Sequence, residues 1–472
     1  MKSEANYVAS QAWVQGAWAQ NVLLTVAPNG TWQSVQPNAT PAQQVGATPL
    51  GGPVLPGLVN AHSHAFQRAI VGLTERRSPG ADASDDFWSW RDRMYRAANR
   101  ITPDQLEAIA SLLYAELLAG GYTQVCEFQY LHNNIDGSPY ASPVEMSLAL
   151  VRAAQRTGIG LTLLPTLYMR SGFTATSLRA DQRRFASTPD SVLRVVEDIQ
   201  RQTALDPRIN CGVAIHSLRA VSPSALFELA ASAQKAGLPV HIHVAEQTQE
   251  VADCMLHTGQ RPIEWLLDHA DVDARWNLVH ATHTTPAELL GVQASGAAIV
   301  ICPATEANLG DGVFDLLGYA AAGGRWSIGS DSHVTRSWPE ELRLLEYAQR
   351  LSLRQRNIAA SALGYESSAT ALFEAALAGG QPACGQTEGG IAAGNRADFV
   401  TLDEQSPALL GLPADYHLDA LVFSSPTPPF NDVFVAGNRV AQGGRAVGPQ
   451  AQVALWPQLA DGFGQAMHAL WR

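Results

Sequence analysis

Two histidines separated by one residue, His62 and His64, follow an apolar run in the stretch LPGLVNAHSHAFQR (55–68). In an extended strand, residues i and i+2 point to the same side, so both imidazoles can reach one point. Imidazole nitrogens are common ligands of zinc and other transition metals. The pair alone is weak evidence, because two hydrogen-bonded histidines on a buried strand face would show the same spacing.

Two more candidate ligands follow other apolar runs. His243 lies in PVHIHVAE (239–246), and Asp331 lies in RWSIGSDS (325–332). His243 is preferred to His241 because it lies nearer the end of the run. Three imidazoles and one carboxylate, with a free position for water, suit zinc or another divalent transition ion. Iron and manganese tolerate the same ligands, so the sequence leaves the metal open.

Glu246 and His280 are candidates for acid–base chemistry beside such a metal. A bound metal lowers the pKa of water to about 7, and its proton must be accepted by a neighbouring group. Hydrolysis of a C–N bond also needs a proton donor for the leaving nitrogen. The alternative interpretations are a solvated charge at a strand end for Glu246 and a core histidine for His280.

The elements that would position these residues alternate between short apolar runs and helical patterns. Thr102 and Ser222 are predicted N-caps of two such helices. Near-continuous apolar runs are typical of strands buried on both faces, and eight βα alternations predict a (β/α)8 barrel of the α/β class. The carboxyl ends of barrel strands meet at one face, where active sites lie. The predicted strands span 53–61, 123–130, 160–168, 210–217, 239–246, 277–282, 297–303 and 325–332.

The two ends of the chain differ from this pattern, because they hold short strands with turn signals. We expect residues 1–52 and 386–455 to pair into a small discontinuous β-sandwich domain flanking a barrel over 53–385. A C-terminal helix is expected over 456–472. A long insertion after the first strand, residues 72–100, is rich in charge and aromatics, and such loops are often functional. Its residues Trp88 and Trp90 either pack within the protein or cover a pocket.

The composition excludes several classes of protein. The formal net charge of −12 over 472 residues disfavours a nucleic-acid partner. The five cysteines form no C-x-x-C pair, which argues against both a disulfide framework and a cysteine zinc site. No signal peptide or membrane span is recognisable, so a cytoplasmic protein without membrane partners is expected. No feature of the sequence indicates the oligomeric state, and a homodimer is compatible with it.

The strand-end residues together resemble those of the amidohydrolase superfamily, whose members are metal-dependent barrels that hydrolyse C–N and related bonds. The stretch GNRADFVTLD (394–403) resembles the closing β segment of that superfamily. HSHAFQR (62–68) and ATEANLGDG (304–312) resemble the branch that removes ammonia from N-formimidoyl-L-glutamate in histidine degradation. The resemblance covers nearly the whole chain.

This resemblance implies a zinc-dependent hydrolysis that yields N-formyl-L-glutamate and ammonia. It implies one zinc ion held by His62, His64, His243 and Asp331. Glu246 would protonate the imino nitrogen, while His280 and Asp331 would assist the attacking water. No lysine at the end of the fourth strand could carry a bridging carbamate, which favours a mononuclear centre. The residues that the resemblance places against the substrate are Gln67, Arg91, Tyr130, His216 and Arg219.

Two other functions are left open. One is deamination of an aminated purine, pterin or triazine, and the other is a non-catalytic binding protein of the same fold. The arginines favour the dicarboxylate amidine, because guanidinium binds carboxylate through a bidentate fork. The stretch Thr335–Pro339 departs from the family pattern. If the substrate differs from the one expected, its residues Arg336 and Trp338 are the first candidates for the cause.

Overall fold

The structure is a computed structural model that describes residues 4–76, 85–448 and 454–471. In chain order, its strands are β1 (Ala5–Val14), β2 (Ala17–Val26), β3 (Trp32–Gln36), β4 (Thr48–Pro49), β5 (Val54–Pro56), β6 (Leu58–Ser63), β7 (Tyr122–Gln129), β8 (Gly160–Leu167), β9 (Ile209–Cys211), β10 (Val213–Ile215), β11 (Val240–Val244), β12 (Trp276–His280), β13 (Ala298–Ile301), β14 (Arg325–Ile328), β15 (Phe399–Leu402), β16 (Phe430–Val435), β17 (Asn438–Gln442) and β18 (Arg445–Ala446).

The helices lie mainly between the strands of the middle of the chain. They are α1 (Phe87–Ala98), α2 (Pro103–Ala119), α3 (Glu145–Thr157), α4 (Pro189–Gln202), α5 (Pro223–Ala236), α6 (Thr248–Thr258), α7 (Pro262–His269), α8 (Pro286–Ser295), α9 (Pro303–Leu309), α10 (Leu316–Ala321), α11 (Trp338–Leu353), α12 (Ile358–Leu363), α13 (Ser368–Ala383), α14 (His417–Phe423) and α15 (Trp456–Trp471), with 3₁₀ turns at Ala65–Ile70, Ala180–Phe185 and Ala414–Tyr416. The predicted N-caps are confirmed, since Thr102 and Ser222 each accept a backbone N–H from the first turn of their helix.

The predicted (β/α)8 barrel is confirmed. Parallel strands run in the order β14-β13-β12-β11-β10-β8-β7-β6, and β9 extends the edge of β8. The residues of β7, β8 and β11 are buried throughout. Both faces of these strands are covered by other parts of the protein, so polar residues such as His241 in β11 and Glu127 in β7 are buried along with the apolar ones.

The barrel closes between its first and last strands, β6 and β14, through the residues that follow β14. The Asp331 backbone N–H donates to the carbonyl of His62 at 3.0 Å, and the His64 N–H donates to the carbonyl of Asp331 at 3.2 Å. The Asn60 side chain accepts the Ser330 N–H at 2.9 Å and donates to the Ser330 hydroxyl at 2.7 Å. The seam of the barrel therefore brings His62, His64 and Asp331 together.

Gly329 permits this close approach. A Cβ atom at this position would lie 2.6 Å from the Cβ of His62 and 2.8 Å from its backbone nitrogen. We expect Gly329→Ala to destabilise the fold by about 1–3 kcal/mol, because the seam would have to open. Urea unfolding measures this loss. Gly172→Ala is the control, since nothing lies within 4 Å of its added Cβ, and an equal loss in both variants would contradict the expectation.

The two ends of the chain form a joint β domain, as predicted. Its strands belong to one hydrogen-bonded sheet in the order β18-β17-β16-β15-β5-β1-β2-β3, with β4 beside β1. The predicted first barrel strand, 53–61, is divided at Gly57, and its first part, β5, joins this sheet. A Cβ at Gly57 would lie 2.2 Å from the Thr123 side chain, so only glycine fits at this crossing. The predicted domain limits at residues 52, 385 and 455 stay predictions.

Part of the predicted insertion after the first strand is helical. Helix α1 begins after Asp86, whose side chain accepts the N–H groups of Trp88 and Ser89. Residues 77–84 of the insertion lie outside the described residues. No helix in the described ranges is long and apolar enough to cross a membrane. The cytoplasmic location stays a prediction.

Candidate active site

The residues predicted for the site converge at the carboxyl ends of the barrel strands. Most of them line one cavity, whereas His62 does not line it and has no exposed surface. The cavity is lined by His64, Gln67, Phe87, Trp90, Arg91, Met94, Tyr95, Tyr130, His216, Arg219, His243, Glu246, His280, Leu309 and Asp331.

The four predicted metal ligands form one compact cluster. The Nε2 atom of His243 lies 3.0 Å from Nε2 of His62 and 3.4 Å from Nε2 of His64. Oδ1 of Asp331 lies 3.4 Å from Nε2 of His62 and 3.5 Å from Nε2 of His64. Metal bonds of about 2.0–2.1 Å would separate the corners of a tetrahedron by about 3.3 Å. The three imidazole nitrogens therefore form one candidate group for an ion, and Asp331 lies against two of them at a spacing that suits a fourth ligand.

The hydrogen bonds of the rings support this interpretation. His64 Nδ1–H donates to the carbonyl of Phe128, and His243 Nδ1–H donates to the carbonyl of His216, both at 3.0 Å. Because a carbonyl only accepts, each neutral ring must carry its lone pair on Nε2. These two lone pairs face each other and cannot form a hydrogen bond. A cation between them satisfies both, and such outer hydrogen bonds are typical of metal-binding histidines.

Burial keeps the three imidazoles neutral. Desolvation lowers the pKa of His62 to about 3, although the hydrogen bond that the protonated ring would donate to Asp331 opposes this change. Desolvation also lowers the pKa of His64 and His243, and for His243 the neighbouring His62 adds to the effect. Metals bind the neutral imidazole, so these rings are prepared for an ion without first losing a proton.

Glu246 and His280 lie together beside the cluster. His280 Nε2 is 3.8 Å from Oε1 of Glu246 and 3.9 Å from Oδ2 of Asp331. Burial raises the pKa of Glu246 to about 7, against the lowering effect of His280. Burial alone would lower the pKa of His280, but the carboxylates of Glu246, Glu306 and Asp331 outweigh it and raise that pKa. A carboxyl group with a pKa near neutrality suits proton transfer.

The backbone is strained at these positions. His280 has φ of 71° and Asp331 has φ of 44°, and the flanking residues Ala245 and Ala281 have φ of 53° and 50°. Residues other than glycine rarely adopt positive φ, and such strain concentrates at active sites. The strain lies where the strands end and the candidate catalytic side chains turn into the cavity.

Glu306 is a site residue that the sequence reasoning missed. It lies in α9, and its Oε1 accepts the Nδ1–H of His280 at 3.2 Å and the N–H of Cys302 at 2.9 Å. Its hydrogen bond directs the other ring nitrogen of His280 toward Glu246 and Asp331. Glu306 follows the seventh predicted strand by three residues. Its position near a strand end was therefore the one feature of the sequence that could have identified it.

We expect Glu306→Ala to lower kcat by about 10–100-fold with little change in KM, because a misplaced His280 ring is costly. Glu306→Gln should retain most of the activity, since one oxygen accepts both hydrogen bonds and an amide oxygen can replace it. Steady-state kinetics of both variants measure this difference. The control is Glu346→Gln, a buried carboxylate that contacts Arg350 and the N-terminus of α12. Unchanged kcat in Glu306→Ala would contradict the expectation.

Two arginines at the cavity have no carboxylate partner among the described residues. Arg91 comes from α1 and Arg219 from the loop after β10. Their guanidinium carbons lie 4.5 Å and 5.3 Å from the centre of the Trp88 ring. Desolvation by burial lowers the pKa of Arg91, and the charge of Arg219 adds to this effect. Burial lowers the pKa of Arg219, but the nearby carboxylates of Glu250 and Glu246 outweigh this effect and raise it, although neither forms an ion pair with Arg219. Two cations that share an aromatic ring and form no ion pair with the described residues favour a negatively charged ligand.

The other predicted substrate residues lie on the same wall. Gln67 donates to the Tyr130 hydroxyl at 3.4 Å, and its carbonyl oxygen is buried without a partner among the described residues. The His216 ring stacks against Tyr168 with centroids 4.2 Å apart. The Gln67 carbonyl oxygen is therefore available to accept a hydrogen bond from a ligand in the cavity.

Three residues considered in the sequence lie elsewhere. His241 points away from the cluster, and its Nε2 bonds with the carbonyl of Ala383. Arg336 forms an ion pair with Glu116, and Trp338 is buried against Phe373 and Phe430. Neither Arg336 nor Trp338 lines the cavity, and their effect on specificity stays a prediction. Arg336 precedes α11 and contacts α2, whereas Trp338 begins α11 and packs against α13.

Comparisons with known proteins agree with this geometry. Residues 54–440 match the model of the amidohydrolase family. The formimidoylglutamate deiminase of Pseudomonas aeruginosa is 43% identical over 455 residues, which is 96% of this chain and 98% of that protein. A crystal structure of an amidohydrolase from Brucella melitensis superposes with a TM-score of 0.91 at 42% identity, covering 99% of this chain and all of that one. An adenosine deaminase from Xanthomonas campestris with bound zinc shares the fold at 22% identity, with a TM-score of 0.79 and coverage of 99% and 98%.

Proposed function

This chain belongs to the amidohydrolase family, and we propose that it hydrolyses N-formimidoyl-L-glutamate to N-formyl-L-glutamate and ammonia, a reaction of histidine degradation. The main observation in support of this proposal is that one cavity combines groups suited to hydrolysis with groups suited to binding carboxylates. A metal-binding cluster with an adjacent acid–base pair lies at the bottom. Two arginines without a carboxylate partner in the described chain lie at the wall.

We propose that one zinc ion occupies the cluster of His62, His64, His243 and Asp331. The mutual spacing of their ligand atoms and the facing lone pairs of His64 and His243 support this assignment. When bound, a divalent ion supplies a Lewis acid and lowers the pKa of a water molecule. Iron or manganese would fit the same donors, and zinc is preferred because three imidazoles and a carboxylate suit it.

The chain's own acid and base would move the protons. His280 and Asp331 orient the attacking water, whose oxygen forms a bond with the formimidoyl carbon. The Glu246 carboxyl delivers a proton to the imino nitrogen. Glu246 takes up the proton that the attacking water loses and passes it to the same nitrogen, so that the bond between this nitrogen and the carbon breaks and ammonia leaves. The proton left on the hydroxyl of the carbon returns to the Glu246 carboxylate as the formyl carbonyl forms. The raised pKa of Glu246 supports its role as a proton donor near neutral pH.

The arginines would bind the two carboxylates of the glutamate part. A guanidinium group matches a carboxylate in shape and charge, and burial strengthens the pair. Trp88 contacts both guanidinium groups, and both arginines line the same cavity as Glu246. Gln67, Tyr130 and His216 would complete the contacts on the same wall. An aminated purine, pterin or triazine offers no carboxylate for these arginines, so we give that function second place.

A substrate comparison tests the proposal. The purified zinc-loaded protein is assayed for ammonia release from N-formimidoyl-L-glutamate, adenosine, guanine, a pterin and an aminotriazine. We expect kcat/KM for the dicarboxylate amidine to exceed that for each heterocycle by about 10³-fold or more, because two buried charge pairs would be lost. Faster turnover of any heterocycle would overturn the assignment of the substrate. Absence of turnover and of any metal uptake would favour the non-catalytic alternative.

A further inference from the structure

A buried carboxylate that the proposed reaction does not use lies behind the metal cluster. Glu127, near the carboxyl end of β7, is 1% exposed. In the described part of the chain, no lysine, arginine or histidine forms an ion pair with it. It accepts three hydrogen bonds instead, from the hydroxyl of Ser63 at 2.7 Å, the N–H of Ala65 at 2.6 Å and the hydroxyl of Tyr114 at 3.1 Å.

Two of these donors flank a candidate metal ligand. Ser63 precedes His64 and Ala65 follows it, so the two carboxylate oxygens hold the chain on both sides of this histidine. The next residue of β7, Phe128, accepts the Nδ1–H of the His64 ring. One short segment of β7 therefore fixes both the backbone and the ring orientation of His64.

The same network reaches the second segment that bears a ligand. The Ser63 hydroxyl lies 3.4 Å from Nε2 of His333, and Nδ1 of His333 lies 2.9 Å from the Ser330 hydroxyl. Ser330 directly precedes Asp331, and its hydroxyl also accepts from Asn60 at 2.7 Å. The chain of hydrogen bonds thus joins the ends of β6 and β14, which carry His62, His64 and Asp331.

We propose that Glu127 is a positioning residue of the metal site, which holds His64 and, through Ser63, the Asp331 segment at the separation that the ion requires. Burying a carboxylate without a cation is costly, and an apolar residue at this position would avoid that cost. The three hydrogen-bond donors stabilise the buried carboxylate. Because two of them flank His64, the carboxylate holds this candidate ligand in place. Groups that orient metal ligands commonly change metal affinity by about 10–100-fold. The inference rests on the metal part of the proposed function and is independent of the substrate.

The test is a zinc competition titration of metal-free protein against a chromogenic chelator. We expect Glu127→Ala to bind zinc about 10–100-fold more weakly than the unmodified protein. Glu127→Gln should recover much of this loss, because its amide oxygen can accept from Ala65 while its NH₂ donates to a rotated hydroxyl. The visible absorption of the cobalt-loaded protein, which reports ligand geometry, should shift in Glu127→Ala and less in Glu127→Gln.

Glu346→Ala is the matched control, since it removes another fully buried carboxylate far from the cluster. Circular dichroism establishes that each metal-free variant is folded before titration. If Glu127→Ala does not fold, Ser63→Ala, which removes one of the three donors, replaces it and should still weaken zinc binding. Zinc affinity unchanged from the unmodified protein, or a loss no larger than that of Glu346→Ala, would overturn the proposal. Because no substrate is present, a wrong substrate assignment cannot produce either result.

Discussion

Replacing Glu246 by glutamine is expected to lower kcat for N-formimidoyl-L-glutamate by about 10³-fold while the bound metal is retained. The amide cannot deliver a proton to the imino nitrogen. The nitrogen would then have to leave without that proton, which makes it a much poorer leaving group than ammonia. The variant keeps the size of the side chain and its place 3.8 Å from His280. Burial raises the pKa of the native carboxyl to about 7, which makes it an effective donor at neutral pH.

The measurement combines the rate of ammonia release with the zinc content of the same preparation. Glu288→Gln serves as the control, since this buried carboxylate binds Arg261 and Thr285 outside the cavity. Near-normal turnover of Glu246→Gln would contradict the proposed proton donor. Loss of zinc in the same variant would mean that Glu246 belongs to the metal site instead.

The second large effect is expected at the arginines. Arg219→Met should raise KM for N-formimidoyl-L-glutamate by about 10–100-fold, because a charged hydrogen-bonding pair of about 1.5–3 kcal/mol is lost. Arg91→Met should have a similar effect. Methionine keeps much of the apolar length that contacts Trp88, so the loss isolates the charge. The kcat value should change less than KM, since neither guanidinium reaches the reacting carbon in the proposed arrangement.

A shortened substrate sharpens this test. The N-formimidoyl derivative of L-alanine lacks the side-chain carboxylate, so one of the two arginine variants should show little further loss with it. That result would assign each arginine to one carboxylate. Arg152→Met, which breaks a surface ion pair with Glu107, is the control. If Arg219→Met and Arg91→Met both left KM for the dicarboxylate unchanged, the substrate assignment would fail.

The sequence predicted the barrel and the cluster because both depend on local patterns. Apolar runs that end in a histidine or carboxylate identify the strands and also the face where they end. Since parallel strands present these ends at one side, His62, His243 and Asp331 could be placed together although they are far apart in the chain. The family resemblance supplied the five residues of the cavity wall, and the structure places all five there.

The residues that support the site could not be predicted in the same way. Glu306 and Glu127 act through hydrogen bonds to distant partners, and a single carboxylate near or within an apolar run gives no indication of which group it contacts. The role of Trp88 depends on where α1 packs over the barrel mouth. The division of the first predicted strand at Gly57 depends on the crossing with Thr123. Each of these features is set by tertiary packing and not by local sequence.

The most direct test of the central claim is zinc titration of the metal-free protein, with both products of N-formimidoyl-L-glutamate hydrolysis measured. We predict that turnover is absent without metal, rises with added zinc and reaches its maximum at one ion per chain. Ammonia and N-formyl-L-glutamate should form in equal amounts. Full turnover by the metal-free protein, or formation of formamide and L-glutamate in place of these products, would contradict the account.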